Sequence, residues 1–156
     1  CCDGLVAPLF WGAVAGPAGA LAYRVTNTLD SIVGHRGERY GRFGKCSARM
    51  DDLLNWVPAR LVALMSETFR NFRSVRKIAH EARKHRSPNA GWGEAAIARE
   101  LDVQLGGVNE YEGKKLKGPV FNPEGETPTP AHVAESLVWF WKITAFSFLL
   151  TVLAAA

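Results

Sequence analysis

The chain has 156 residues, enough for one compact domain or a small membrane bundle, and 47% of them are hydrophobic, close to an ordinary soluble protein. Its formal charge of +4 does not point to nucleic acid, because net charge alone is a weak signal and basic loops also hold the cytoplasmic face of membrane proteins. Cys1, Cys2 and Cys46 make neither an even framework nor a C-x-x-C pair, which excludes disulfide and zinc logic.

Where the apolar residues lie says more than their average. Gly4 to Tyr23 contains no charge, and Ser136 to Ala156 contains only Lys142, while the charges crowd between them. A helix needs about 20 apolar residues to cross a bilayer, so membrane helices are predicted over 4–23 and 133–156. The chain opens on Cys1 and goes straight into the apolar run, without the basic start and small-residue cleavage site of a signal peptide. It therefore reads as a fragment whose upstream part is missing, from a mainly α, polytopic helical membrane protein with amphipathic and loop segments on the cytoplasmic face.

The first apolar segment is broken by Pro8, Gly12, Gly16, Pro17 and Gly19, a poor pattern in water but one that lipid tolerates. Beyond it, Asn27, Asp30, Ser31 and Gly34 recur at helical spacing and give the helix end one polar face. Gly34 to Gly44 reads as a glycine-rich basic loop, and a helix restarts near Ser47, with Pro58 kinking it or resetting its start. Over 53–69 a clean span would place Arg60 near mid-depth, at a cost of about 2.5–3.5 kcal/mol, and would put two basic loops on opposite sides. A re-entrant or interface-lying segment is the better expectation, within a polar-motif region over 24–69.

Arg70 to Arg86 holds seven Lys or Arg, two His and one acid, Glu81, and its apolar residues repeat at helical spacing: a basic amphipathic helix, either a solvated face beside anionic headgroups or a face that captures phosphate. Ser87-Pro88-Asn89-Ala90-Gly91 is a turn, with a helix from Trp92 to Leu101 whose first turn carries Glu94. Leu105-Gly106-Gly107 stops regular structure. Glu112 to Pro130 is rich in Gly and Pro without periodicity, so 112–132 is expected as a surface loop before the last apolar helix.

Four polar clusters lie beside apolar segments: Cys2-Asp3-Gly4, Asn27 to Ser31, Asp51-Asp52 through Arg60, and Ser87 to Glu94. Each alone is explained by helix capping or an interfacial polar rim. Together, acids beside amides suit a hard cation such as Mg²⁺, and ionisable groups at a membrane edge are a functional signal. Asp52 and Asn55, at i and i+3, are expected to face one ligand, with Asp51 pointing elsewhere. No P-loop, G-x-S-x-G or H-E-x-x-H motif occurs, and of the scattered histidines His85 is the most suggestive.

Several strings, in order, resemble the adenosylcobinamide-phosphate synthase (CobD/CbiB) family of membrane proteins. They are Asp3-Gly4-Leu5-Val6-Ala7-Pro8-Leu9-Phe10; Tyr23-Arg24 with Asn27-Thr28-Leu29-Asp30-Ser31; Glu38-Arg39-Tyr40 with Phe43-Gly44; and Ala48-Arg49 with Asp51-Asp52 through Arg60. His85-Arg86-Ser87-Pro88-Asn89-Ala90-Gly91-Trp92 with Glu94, and Leu105-Gly106-Gly107 before Tyr111, continue the match over residues 1 to about 111. Gly93 stands where the family has Pro, and His35 where an aromatic is expected; neither change removes an acid or amide.

The resemblance implies cobalamin biosynthesis in the plasma (inner) membrane, with the active face cytoplasmic. The reaction it implies is ATP-dependent amide formation between adenosylcobyric acid and aminopropanol or its O-phosphate. It also implies Mg²⁺ and phosphate held by Asp30, Glu38, Asp51 and Asp52, and phosphate or corrin carboxylates clamped by Arg24, Arg39, Arg49 and Arg60. Asn27, Ser31, Asn55, Ser87 and Asn89 would orient substrate, and Glu94 or His85 would take the amine proton. Implied partners are membrane lipid and the N-terminal half, without which a multi-helix site is expected to lose its geometry. The rival readings are a non-catalytic membrane subunit that holds corrinoid intermediates or partner enzymes, and a transporter fragment with broken helices.

Overall fold

The computed structural model describes residues 1–33, 41–68, 74–111 and 114–155, which are mainly helical. They form two units, Cys1–Ala59 with Thr144–Ala156, and Arg60–Ile143.

The first unit opens on a π-helical turn, Cys2–Val6, where the Val6 N–H reaches back five residues to the Cys1 carbonyl, and runs into α1 (Ala7–Val33). α1 is not one rod. At Ala15 and Gly16 the backbone leaves helical geometry, and Gly16 sits at φ +66°, ψ −165°, a region essentially reserved for glycine. Pro17 follows and lacks the N–H that a continuing helix would need.

The consequence is a reversal. A Cβ on Gly19 would lie 2.5 Å from the Trp11 carbonyl oxygen, and one on Gly12 would lie 3.7 Å from Ala20 Cβ. The Arg24 guanidinium donates to the Asp3 carbonyl at 3.3 Å, whereas 21 residues of straight helix would part their backbones by about 31 Å. The two arms of α1 are thus antiparallel, packed so closely that only glycine fits at position 19. The continuous membrane helix expected over 4–23 is interrupted at its glycine-proline step.

α2 (Gly41–Leu54) and α3 (Trp56–Thr68) meet at Asn55, whose N–H still donates to the Asp51 carbonyl while its own carbonyl accepts from Ala59 N–H. Pro58 supplies no donor for the Leu54 carbonyl four residues back, as proline in a helix must. That carbonyl instead accepts from Trp11 Nε1 at 3.0 Å. The described part of α3 is 13 residues, about 20 Å of helix.

In the second unit the core is built from Ile78 and Ala82 of α4 (Val75–Ala82), Ala95, Ala96 and Ala98 of α5 (Ala90–Glu100), and Val62, Val103 and Phe121. Small residues let α4 and α5 approach: a Cβ on Gly91 would meet the Ala82 carbonyl oxygen at 2.5 Å and His85 Cβ at 2.8 Å. The basic helix is shorter than the 70–86 expectation, because its described part gives way to turns after Ala82.

Residues 105–121, expected as irregular, form an antiparallel hairpin of β1 (Leu105–Tyr111) and β2 (Lys114–Phe121). Its register shifts between Gly106 and Val108, with the extra residue on β2 at Gly118-Pro119, where a bulge tolerates a proline that cannot donate. Those residues are the ones that hid the strands. Only the part after Phe121 is the expected loop.

That hairpin is fastened by a buried polar knot. Glu81 pairs with Arg99 and accepts from the Asn122 N–H at 3.2 Å, while Asn122 Nδ2 donates to the Asp102 carboxylate at 3.1 Å. Finally, α6 (Pro130–Ala155) starts with proline in its first turn, where no N–H is missed, and Thr129 N–H donates to His132 Nδ1 at 3.0 Å as a cap. Trp139 Nε1 ties α6 to Ser66 at 2.9 Å.

Both α1, taken with its π-turn, and α6 are long and apolar enough to cross a membrane, and little of either apolar stretch is buried. Val14, Leu21, Ile32, Phe148 and Leu153 stand exposed, an extent of apolar surface that suits lipid rather than water.

Candidate functional site

In the first unit a polar seam joins the second arm of α1 to α2. Tyr23, itself buried, donates its hydroxyl to Asn55 Oδ1 at 2.9 Å, and the Cys2 thiol points at the same oxygen at 3.7 Å. Asn55 Nδ2 donates to Asp51 Oδ2 at 3.0 Å, and Asn27 Nδ2 to Asp51 Oδ1 at 3.0 Å. Tyr23 with Asn55 and Asn27 with Asp51 are spaced four residues apart on both helices, in opposite directions, so the helices run antiparallel along this seam.

The seam corrects two expectations. Asn55 pairs with Asp51, four residues before it, and Asp51 turns into the seam instead of pointing elsewhere. Ser31 spends its hydroxyl on the Asn27 carbonyl of its own helix at 3.0 Å. Arg24 and Arg49 are exposed, and Asp30 and Asp52 are partly exposed on α1 and α2. Glu38 and Arg39 lie outside the described residues.

Among the described residues no three of His, Cys, Asp and Glu gather as a metal-holding group. Mg²⁺ at phosphate-handling sites commonly uses one or two carboxylates, with phosphate and water completing its shell. Asp51 already accepts an amide N–H on each oxygen, so its carboxylate clamps the seam.

The second unit holds a second cluster around the turn before α5. Ser87 Oγ accepts from the Asn89 N–H at 3.2 Å and the Ala90 N–H at 3.3 Å, capping the helix start. The helix therefore begins at Ala90, two residues before the expected Trp92, and Glu94 stands beyond the first turn. The Ser87 N–H donates to His85 Nδ1 at 3.0 Å. An Nδ1 that accepts cannot carry the proton, so the neutral ring holds it on Nε2, which faces Glu94 Oε1 at 3.9 Å.

Asn89, buried, accepts from Arg60 Nη1 at 3.5 Å, and the Arg60 guanidinium lies over the Trp92 ring, 4.8 Å from its centroid. Desolvation pulls the Arg60 guanidinium below its ordinary value, yet arginine stays charged in proteins. A guanidinium held flat by an indole matches phosphate or carboxylate oxygens two at a time. Arg60, His85, Ser87, Asn89 and Glu94 are thus joined in one unit, as their spacing in sequence cannot reveal.

Three side chains carry parts that sequence reading did not assign. Tyr23 and Trp92 sat inside recognised strings without a role, and Trp11 lay in an apolar run. The signal for Trp11 was available, because Pro58 frees a carbonyl that some donor must satisfy.

One unit holds an acid–amide cluster and the other an arginine–indole cluster, and comparison with known proteins gives the family they belong to. The family described as CobD/Cbib protein matches residues 1–140, so the chain belongs to the CobD/CbiB family. It is 46% identical over 145 residues to a cobalamin biosynthesis protein CobD of Rhodobacter capsulatus, covering 92% of this chain and 46% of that protein. Like-named relatives are 49% identical over 118 residues in Halalkalibacterium halodurans, covering 71% and 37%, and 40% identical over 151 residues in Brucella suis, covering 90% and 46%. The chain spans less than half the length of these relatives. No solved structure matches it.

Proposed function

We propose that this chain is part of a membrane-bound carbon–nitrogen ligase of cobalamin biosynthesis. It would join the free carboxylate of adenosylcobyric acid to aminopropanol or its O-phosphate, on the cytoplasmic face of the inner membrane. The observation that carries the reading is the family match over residues 1–140, with relatives named for cobalamin biosynthesis.

Amide formation from a carboxylate is uphill in water, and ATP with Mg²⁺ would supply the activation. Within the first unit, Asp30 and Asp52 would hold Mg²⁺, with Glu38 as a further carboxylate and Arg24, Arg39 and Arg49 as cationic groups for phosphate. Asn27, Asp51 and Asn55 set the register of the helices that carry Asp30 and Asp52. In the second unit Arg60, flattened on Trp92, would grip a phosphate or a corrin carboxylate, and Asn89 and Ser87 hold the turn beneath it. Glu94 is the better proton acceptor of the His85–Glu94 pair, since His85 offers an N–H on that side and so orients the carboxylate.

The test uses the purified full-length protein. ATP consumption should require the corrinoid acid and the amine together. Corrinoid binding without any substrate-dependent ATP consumption would favour the non-catalytic subunit and end the ligase reading.

A further inference from the structure

We propose that Cys2–Val33 is a re-entrant hairpin, which dips to about mid-depth of a bilayer at Gly16 and returns to the face it entered from. The occupant of its exposed apolar surface is lipid acyl chain.

Composition alone makes this segment a single crossing, and geometry does not. The Gly12–Ala20 and Trp11–Gly19 approaches place the arms side by side and the Ala15-Gly16-Pro17 bend at one end. At the other end Arg24 reaches up to the Asp3 carbonyl. From Gly16 to Arg24 is about 12 Å of helix and from Gly16 to Asp3 about 20 Å, against a hydrocarbon core of about 30 Å. Neither apolar arm crosses. Arg24, directed from the shorter arm toward the Asp3 level, has the posture of a side chain that keeps its charge at the interface while its stem stays in apolar surroundings.

Between Asp3 and Arg24 the segment carries no charged side chain, and Val14, Ala18 and Leu21 are exposed. Beyond Arg24 the second arm turns polar at Asn27, Asp30 and Ser31. Its apolar run ends about 11 Å of helix from Gly16, and the Arg24 side chain spans the remaining height to the Asp3 carbonyl, where the first arm's apolar run begins. Freed backbone groups are the cost of a bend at depth. Here the bend is two residues long and Pro17 brings no N–H. The Trp11 carbonyl is also directed at the Gly19 Cα, the approach of a weak C–H···O contact.

Impermeant maleimide labelling in sealed inside-out and right-side-out vesicles tests the idea on the full-length protein, with single cysteines at Gly4→Cys, Thr28→Cys and Ala18→Cys. The expected result is labelling of Gly4→Cys and Thr28→Cys in the same vesicle orientation, and of Ala18→Cys only after detergent. Should Ala18→Cys fail to accumulate, Val14→Cys reads the same depth. Labelling of the two ends in opposite orientations would show a span and overturn the proposal. Labelling of the bend without detergent, in either orientation, would equally overturn it, because the bend would then lie in water.

Discussion

Two side chains, the buried Tyr23 and the half-buried His85, show how single residues set this protein's geometry. Tyr23 matters for its hydroxyl: it supplies the short hydrogen bond to Asn55 Oδ1, leaving the Cys2 thiol as the weaker, longer donor. Tyr23→Phe keeps the ring and removes that bond, so it should destabilise the full-length protein by about 1–2 kcal/mol, read as a lower Tm in detergent. His85 is a similar case on the chemical side. An asparagine there can offer an oxygen to the Ser87 N–H in place of Nδ1 but has nothing to present to Glu94. His85→Asn should therefore keep the folded turn, seen as an unchanged Tm, while lowering kcat; Glu94→Gln should lower it further. Equal activity in both variants and the parent would remove this pair from the chemistry.

Among the elements, helices with strong periodicity and clear stops were legible. The break near Pro58, the turn at Ser87 and the last apolar helix appear within a few residues of where the sequence places them, whereas α2 begins at Gly41, inside the expected glycine-rich loop and six residues before Ser47. Two failures have physical causes. β1 and β2 were missed because a bulge made of Gly106, Gly107, Gly118 and Pro119 imitates a loop, and only the alternation around Leu116 betrays a strand. The bend in α1 was missed because Gly and Pro are common in membrane helices and carry no fixed geometry there. The candidate residues were legible as a set through motif order, but not their partners: Asp51 at i+4 from Asn55 was as available on paper as Asp52 at i+3, and packing decided. Contact also explains Gly91. Its Cα faces the Ala82 carbonyl with no room for a methyl, so Gly91→Val should push α5 from α4 at a cost of about 1–3 kcal/mol. Because Ser87 and His85 sit on that joint, the same variant should lose activity before it loses helical circular dichroism.

At the scale of the molecule, the expectation to be tested is sidedness. The basic stretches before and after α3, near Lys45 and near Lys84, share the positive bias that cytoplasmic loops carry, so both are expected on that face. Lys45→Cys and Lys84→Cys should react with an impermeant reagent only in inside-out vesicles. Reaction of either one in right-side-out vesicles would reverse the assignment.

The reversal at Gly16 also changes an arithmetic that membrane proteins obey. Every crossing flips the side on which the following chain emerges, so a topology is a running count of odd and even. Scored by apolar length, Cys2–Val33 adds one to that count; folded back on itself, it adds nothing. The single crossing that α6 is long enough to make becomes the only change of side available among the described residues. On the re-entrant reading, one glycine with positive φ thus sets whether the segments before and after the hairpin emerge on the same side of the membrane.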